Sequence, residues 1–362
     1  DSLRVSFNYN TERFNADLIL EYDDRSQFGT VYRATGEGFQ FNDAQARIFG
    51  GPIPFSSDGR TVNNDNSLPP RDDTEAISVS LLMDYDLGFA TLTSVTGYKD
   101  HEYEYVEDYD GLPVTVFNYG QGQEGDYFEQ ELRLTSNGDG PLDWYAGASY
   151  YQEDIDTTFL GQQSEDAYCL GYWYNTCSDL FDYYNYLDSY YGQTTYCDYY
   201  LDYYFGTCEW TPSASGLAND LNRIRGKYKG YSAYVDLKYA FSEQLEVNVG
   251  VRYNYDEKDF SQESVPDPDG SILNKKVQTG YYTPEGPLRG KQDWNAVTWR
   301  AVLNWRPNDD TLLFASVATG YKPGGYDSFT VEGPSTECTF LTPSCVALPG
   351  LDSPGDYDEE SV

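Results

Sequence analysis

One pattern constrains this chain more than any other: a period of two that recurs in segment after segment. In "LEVNVGVRYNY", Leu245, Val247, Val249, Val251, Tyr253 and Tyr255 share one face, and Glu246, Asn248, Gly250, Arg252 and Asn254 share the other. In "YSAYVDLKYAF", Tyr231, Ala233, Val235, Leu237, Tyr239 and Phe241 oppose Ser232, Tyr234, Asp236 and Lys238. "VTWRAVLNW" (297–305) and "LDWYAGASY" (142–150) repeat the arrangement. Successive side chains of a strand point to opposite faces, so strict alternation with charges on one face describes a sheet that is apolar on one side and wet on the other.

Ten such segments are predicted, at about 2–10, 13–23, 75–87, 89–106, 126–136, 142–158, 228–241, 244–256, 294–305 and 311–321. Their connections alternate in length without a break. The short ones are "NTER", "LG", "SNGDGP", "FSEQ" and "RPNDD"; the long ones cover 24–74, 107–125, 159–227, 257–293 and 322 onward. A soluble sandwich has no reason to gather every long connection at one end. An antiparallel transmembrane β-barrel of the outer-membrane type does, because its inner turns are short and its outer loops long. Aromatic residues close several apolar faces: Tyr253 and Tyr255 at a long-loop end, and Tyr239, Phe241 and Trp305 at short-turn ends. Girdles at both interfaces are expected of such barrels. The fold class is therefore all-β, and the charged face (Arg4, Glu21, Glu129, Glu131, Arg133, Asp236, Lys238, Arg252 and Arg300) is expected to line a wet lumen.

Charge narrows the partners. Sixty acidic against 23 basic residues leave a net −37, which repels nucleic acid, since binding it needs basic patches that neutralise phosphates. Aromatics make up 17% of the 362 residues, unlike acidic disordered chains. No segment approaches the ~20 apolar residues of a membrane helix. Asp1 leads at once into the alternating "LRVSFNYN", so the chain reads as a mature polypeptide or a piece of one.

Four phrases carry a family likeness. "TLTSVTGYKDHEYEYVEDYDG", "YFEQELRLTSNGDGPLDWYAGASYYQED", "LEVNVGVRYNYDEKDF" and "LLFASVATGYKPGGYDSF" closely resemble, in that order, the barrel of TonB-dependent outer-membrane receptors. The resemblance covers most of 75–160 and 228–329. It implies about ten strands of a larger, roughly 22-stranded barrel, plugged by an N-terminal domain and powered from the inner membrane by the TonB energy-coupling system. No plug and no TonB box precede Asp1 in this sequence, so the chain is expected to be the middle of such a receptor. The function implied is active import of a scarce extracellular solute from a site on the bacterial cell outer membrane. The sequence does not discriminate among ferric siderophores, cobalamin, glycans and peptides. The alternative reading is a surface adhesion or assembly protein whose loops grip a partner or glycan without transport.

Catalysis finds little support. His101, the one histidine, stands between Asp100 and Glu102, but neighbours in a strand point to opposite faces, which separates it from both acids. "GYKPGG" lacks the spacing of a phosphate-binding loop. The protein is not read as an enzyme and no cofactor is expected, calcium excepted. Calcium takes clustered oxygens, which makes Asp267 and Asp269 in "VPDPDGS" and Asp108 and Asp110 in "EDYDG" candidate ligands; the other reading is a solvated turn closed by Gly270 or Gly111.

All six cysteines fall in long connections and none in CxxC spacing. Local pairs fit best: Cys169–Cys177, Cys197–Cys208 and Cys338–Cys345, although six cysteines allow 15 pairings. Residues 159–227 read as a Tyr-rich, disulfide-pinned extracellular insertion. Within it, "FDYYNYLDSYYGQTTYCDYYLDYYFGTCEW" (181–210) breaks the period of two, and no lysine or arginine occurs between Arg133 and Arg223. Tyrosine gives broad amphipathic contact at low entropy cost, so Tyr183, Tyr184, Tyr190, Tyr191, Tyr199, Tyr200 and Trp210 are the candidate ligand-binding residues. An equal reading is a cap in which these rings pack on one another.

Overall fold

The computed structural model describes residues 1–33, 51, 62, 65, 68–113, 115–173, 175–192, 194, 196–197, 201, 207–265, 267, 269–273, 286–332 and 353–361. Ten antiparallel strands pair in chain order in a single sheet. They are β1 (Ser2–Asn10), β2 (Phe14–Gln27), β3 (Arg71–Asp86), β4 (Ala90–Asp108), β5 (Asn118–Ser136), β6 (Leu142–Ser164), β7 (Leu217–Ala240), β8 (Leu245–Val265), β9 (Leu288–Asn308) and β10 (Thr311–Ala318). β1 and β10 are the two edges of this sheet, which does not close on itself.

All ten expected strands are present, and eight of them, β2 to β9, run further at the long-loop end than the periodicity indicated. β6 continues to Ser164 and β7 begins at Leu217, and these two residues still pair in register. The reason is physical. Beyond the apolar band the outward face is wet and the inward face, though buried, is largely polar (Asp220, Asn222 and Gln262), so hydropathy no longer alternates, while the backbone ladder goes on satisfying its own donors and acceptors. The expected loop 159–227 is correspondingly shorter, with strand at both of its ends.

Burial is inverted relative to a soluble sheet. The apolar row Val235, Leu237, Val249, Val251, Val297, Trp299 and Leu303 is exposed, whereas Ser232 and Asp236 on the polar face are buried. The register aligns the apolar residues across strands: Val235 pairs with Val251, and Val251 with Trp299. A continuous apolar surface of this extent is stable against hydrocarbon and not against water. Ring pairs bound it. Tyr231 and Tyr255 lie 4.7 Å apart at the long-loop side, and Tyr239 and Phe241 lie 4.8 Å apart at the short-turn side. At ~3.3 Å per residue and a tilt of ~40°, the run from Tyr231 to Phe241 rises about 25 Å, the height of an outer-membrane apolar band. Immediately beyond Tyr231 and Tyr255 on the same face, Glu257 accepts ion pairs from Lys229 (2.9 Å) and Lys291 (3.1 Å). The dry band ends there.

The connection between β6 and β7 carries two helices, α1 (Glu165–Trp173) and α2 (Cys177–Tyr191). The stretch that broke the period of two is thus helical in its first part, which the expectation of a loop insertion did not include. Thr176 caps α2 by accepting from the Asp179 amide at 3.2 Å, and Gly192 ends it in the left-handed conformation at φ 63°, where a residue with a Cβ would be strained. Cys177, Leu180 and Phe181 lie on the buried side of α2 and form a small core with Cys169, Leu201, Ala218 and Leu273. Past β10, two short ribbons return over the polar face: β11 (Tyr321–Lys322) with β14 (Glu360–Ser361), and β12 (Gly325–Glu332) with β13 (Ser353–Tyr357).

A charge placed in the middle of the apolar row should be costly in proportion to its depth. Val249→Arg is expected to destabilise the barrel by ~2–4 kcal/mol, and Asn248→Arg, facing the other way, by far less. Urea titration of each variant refolded in lipid vesicles measures the difference.

Candidate solute-binding surfaces

The polar wall of the sheet is built from aromatic rings laid across glycines. Gly147 pairs with Tyr234 and Gly230 with Tyr151. A Cβ on Gly147 would meet Tyr234 Cζ at 2.6 Å, and one on Gly230 would meet Tyr151 Cε1 at 2.5 Å. Each ring is then tethered by its phenol: Tyr234 donates to Glu131 (2.7 Å) and Tyr151 to Asp256 (2.6 Å). Tyr127 stacks on Tyr151 with centroids 6.4 Å apart. Lower on the wall, Arg300 donates to Asp236 (2.8 Å) and to the Tyr145 hydroxyl (3.0 Å), and Arg252 sits 5.6 Å over the Tyr234 ring. A groove of about 430 Å³ opens among Glu131, Arg133, Tyr234, Asp236, Arg252 and Arg300. The charged face expected to be wet is this wall. Higher up, Lys258 is flanked by the rings of Tyr228 (5.6 Å) and Trp294 (5.9 Å), and Tyr326 of β12 stacks on Phe260 at 5.1 Å. These Gly–Tyr pairs carry no sequence signature, because the partners are far apart in the chain and meet only through the register.

The outer cap is the second surface. Cys169–Cys177 and Cys197–Cys208 are joined, with Cα atoms 5.2 and 5.5 Å apart, as the local pairing anticipated. Cys338 and Cys345 lie outside the described residues, as do Tyr199 and Tyr200. The remaining candidate rings divide into two groups. Tyr184 and Trp210 pack against the cap core, and Trp210 lies 5.5 Å from Phe181. Tyr183, Tyr190 and Tyr191 face outward together with Tyr186, which the candidate set omitted although its spacing from Tyr183 and Tyr190 marks the same helical face.

The four aspartates considered for calcium are occupied by hydrogen-bond donors. Asp108 accepts from the amides of Gly111 (3.0 Å) and Asp65 (3.1 Å), and Asp110 from those of Leu112 (3.0 Å) and Phe117 (2.7 Å). Asp267 accepts from the Asn219 amide (3.1 Å) and Asp269 from the Ser215 hydroxyl (2.6 Å). Carboxylates turned to N–H and O–H donors act as turn caps, and among the described residues no group of three or more His, Cys, Asp or Glu is placed to hold a metal ion. His101 meets Gln123 at 3.0 Å, with Asp100 and Glu102 on the opposite face of β4.

Against this geometry, the comparisons are decisive for the family. Residues 5–344 match the family described as TonB dependent receptor-like, beta-barrel. The chain belongs to that family. Its barrels are outer-membrane proteins, so the short turns of this sheet face the periplasm and the long connections the exterior. The fold is similar to the ferric yersiniabactin uptake receptor FyuA from Yersinia pestis, with a TM-score of 0.57 at 12% identity over 96% of this chain and 38% of that one. It is also similar to the ferric-catecholate import receptor Fiu from E. coli K12. The closed form gives 0.54 at 10% identity over 95% of this chain and 46% of that one. The open form gives 0.51 at 10% identity over 89% and 47%. This chain therefore spans less than half the length of these receptors. A search of curated sequences returned no match.

Burial raises Asp110 to about 7, with the neighbouring Asp108 carboxylate adding to the shift against the opposing amide hydrogen bonds. A carboxyl whose folded value lies above its unfolded value favours the folded loop at low pH, and that contribution is lost as pH rises from about 4 through about 7. Amides of 109–117 should therefore exchange faster at pH 8 than at pH 6 once intrinsic rates are divided out. Asp110→Asn should remove that difference in hydrogen-exchange mass spectrometry.

Proposed function

We propose that the chain is the central part of a larger outer-membrane import receptor, and that its solute passes along the polar wall beneath the disulfide-joined cap. The observation that carries this reading is the wall itself, set behind an apolar band of membrane height. Rigid rings and paired charges at bilayer depth serve a solute path or an internal domain, whereas an adhesion protein needs only its outer loops. Lipid would contact the apolar band, and further strands would extend the sheet from the free edges of β1 and β10. A plug carried elsewhere in the receptor would meet Glu131, Arg133, Arg252 and Arg300 and connect to TonB.

The wall disfavours a bare anionic solute. Arg300 is engaged with Asp236, Lys238 with Asp143 (3.2 Å), and Lys258 with two rings, while the Glu131 side chain stays 36% exposed. Neutral or cationic solutes with ring or sugar faces suit such a surface better.

Cells producing the full receptor can be offered labelled ferric siderophores, cobalamin, oligosaccharides and peptides, with and without a protonophore. Import predicts that one class accumulates only while the inner-membrane gradient is intact. Surface binding that ignores the gradient, with no accumulation of any class, would establish the adhesion reading instead. Deleting 181–207 should weaken capture of the accumulated solute while leaving the barrel heat-resistant on gels.

A further inference from the structure

The exposed face of α2 is a surface distinct from the polar wall. At 100° per residue, Asp179, Asp182, Tyr183, Tyr186 and Tyr190 fall within one arc of ~100°. The three rings are 53%, 62% and 69% exposed, and both aspartates are exposed beside them. The buried side of the helix already supplies the cap core, so these rings are not needed for packing. Two further features concentrate negative potential here. The last turn of α2 holds no basic residue, which leaves the negative end of the helix dipole uncompensated. At that end Tyr190 and Tyr191 meet edge to face at 5.0 Å, forming an aromatic corner beside Tyr186, whose ring is 6.1 Å from that of Tyr190.

We propose that this face docks a polypeptide segment rich in lysine or arginine, bound in extended form. Charge selects the partner's sign: carboxylates, a helix C-terminus with no basic residue in its last turn and ring faces all attract cations, and the chain between Arg133 and Arg223 has no cation of its own to offer them. Shape selects its size. A helix face is convex, so a small ion touches it on one side only, whereas enclosed sites are the rule for small ligands. Spacing suits an extended chain: Tyr186 and Tyr190 are separated by about 6 Å of helical rise, close to the ~6.6 Å between alternate residues of a strand. The inference is independent of whether the barrel imports a solute.

The test uses the full receptor in detergent micelles and a fluorescent peptide of alternating lysine and serine, read by anisotropy at about 0.15 M NaCl. Wild type is expected to bind this peptide and to ignore its glutamate–serine counterpart. Y186S/Y190S and D179N/D182N should each weaken binding about tenfold, whereas Y186F/Y190F, which keeps the ring faces, should bind as wild type does. Heat-resistant migration and intact disulfides confirm that each variant is folded. Binding unchanged in Y186S/Y190S would reduce the effect to the general attraction of an acidic protein and overturn the proposal. So would an absence of binding, or displacement of the peptide by an equal concentration of tetramethylammonium.

Discussion

The structure depends first on a requirement of the backbone. In hydrocarbon no water can satisfy a peptide N–H or C=O, and each one left unpaired costs several kcal/mol, so a spanning segment must complete its hydrogen bonds with its neighbours. Every strand from β2 to β9 does so on both sides. This explains why the sheet is a meander in strict chain order and why its hairpins are tight on one side. It also explains why the ladder outlasts the apolar pattern, since pairing remains the cheapest way to satisfy amides once the strands emerge into water. β1 and β10 each keep one unpaired edge, and in a bilayer those edges need a pairing partner.

Once the register is fixed by the ladder, the polar wall follows from it. A glycine opposite a tyrosine leaves a slot into which the ring can lie flat along the sheet, and the cross-strand phenol–carboxylate bonds to Glu131 and Asp256 hold it there. The wall is thus preorganised by residues on three strands at a time. A Cβ at Gly147 or Gly230 would push the ring out of its slot, so these glycines bear on function through the rings that cover them and not through their own backbone freedom.

Much of this was legible in the sequence for the same physical reason. Between the girdles the two faces meet different solvents, and Val247, Val249 and Val251 alternate with Asn248, Gly250 and Arg252 because of it. Where the outward face meets water and the buried inward face is largely polar, as along Leu217–Lys227, the distinction vanishes and so did the expectation of strand. The local cysteine pairs were readable because short separations make closure geometrically easy. The helix α2 was hidden by its tyrosines, which are amphipathic and obscure a period of 3.6. Its stop and start signals, Thr176 before "CSD" and Gly192 after "SYY", were nonetheless in plain view. Contacts that join separate connections, such as Ser271 to Glu165 at 2.5 Å, have no sequence signature at all.

The same shortage of cations governs how the cap holds together. Glu165 and Asp188 are buried, and a buried carboxylate without a partner is costly. On the polar wall an arginine supplies that partner, as Arg300 does for the buried Asp236. In the cap the carboxylates turn to the backbone. Glu165 accepts from the Ser213 amide (3.1 Å), Asp166 from the Cys177 amide (3.2 Å), and Asp188 from those of Tyr196 (2.8 Å) and Cys197 (2.6 Å). Amide donors satisfy a carboxylate but do not cancel its charge. A cap built this way stays folded while keeping its net negative field, and the exposed acids on α2 add to it without opposition. Disulfides complete the logic, since they fix these loops without placing any positive group on the surface. The negative, aromatic exterior is therefore a consequence of how the cap is held together as well as of which residues it shows.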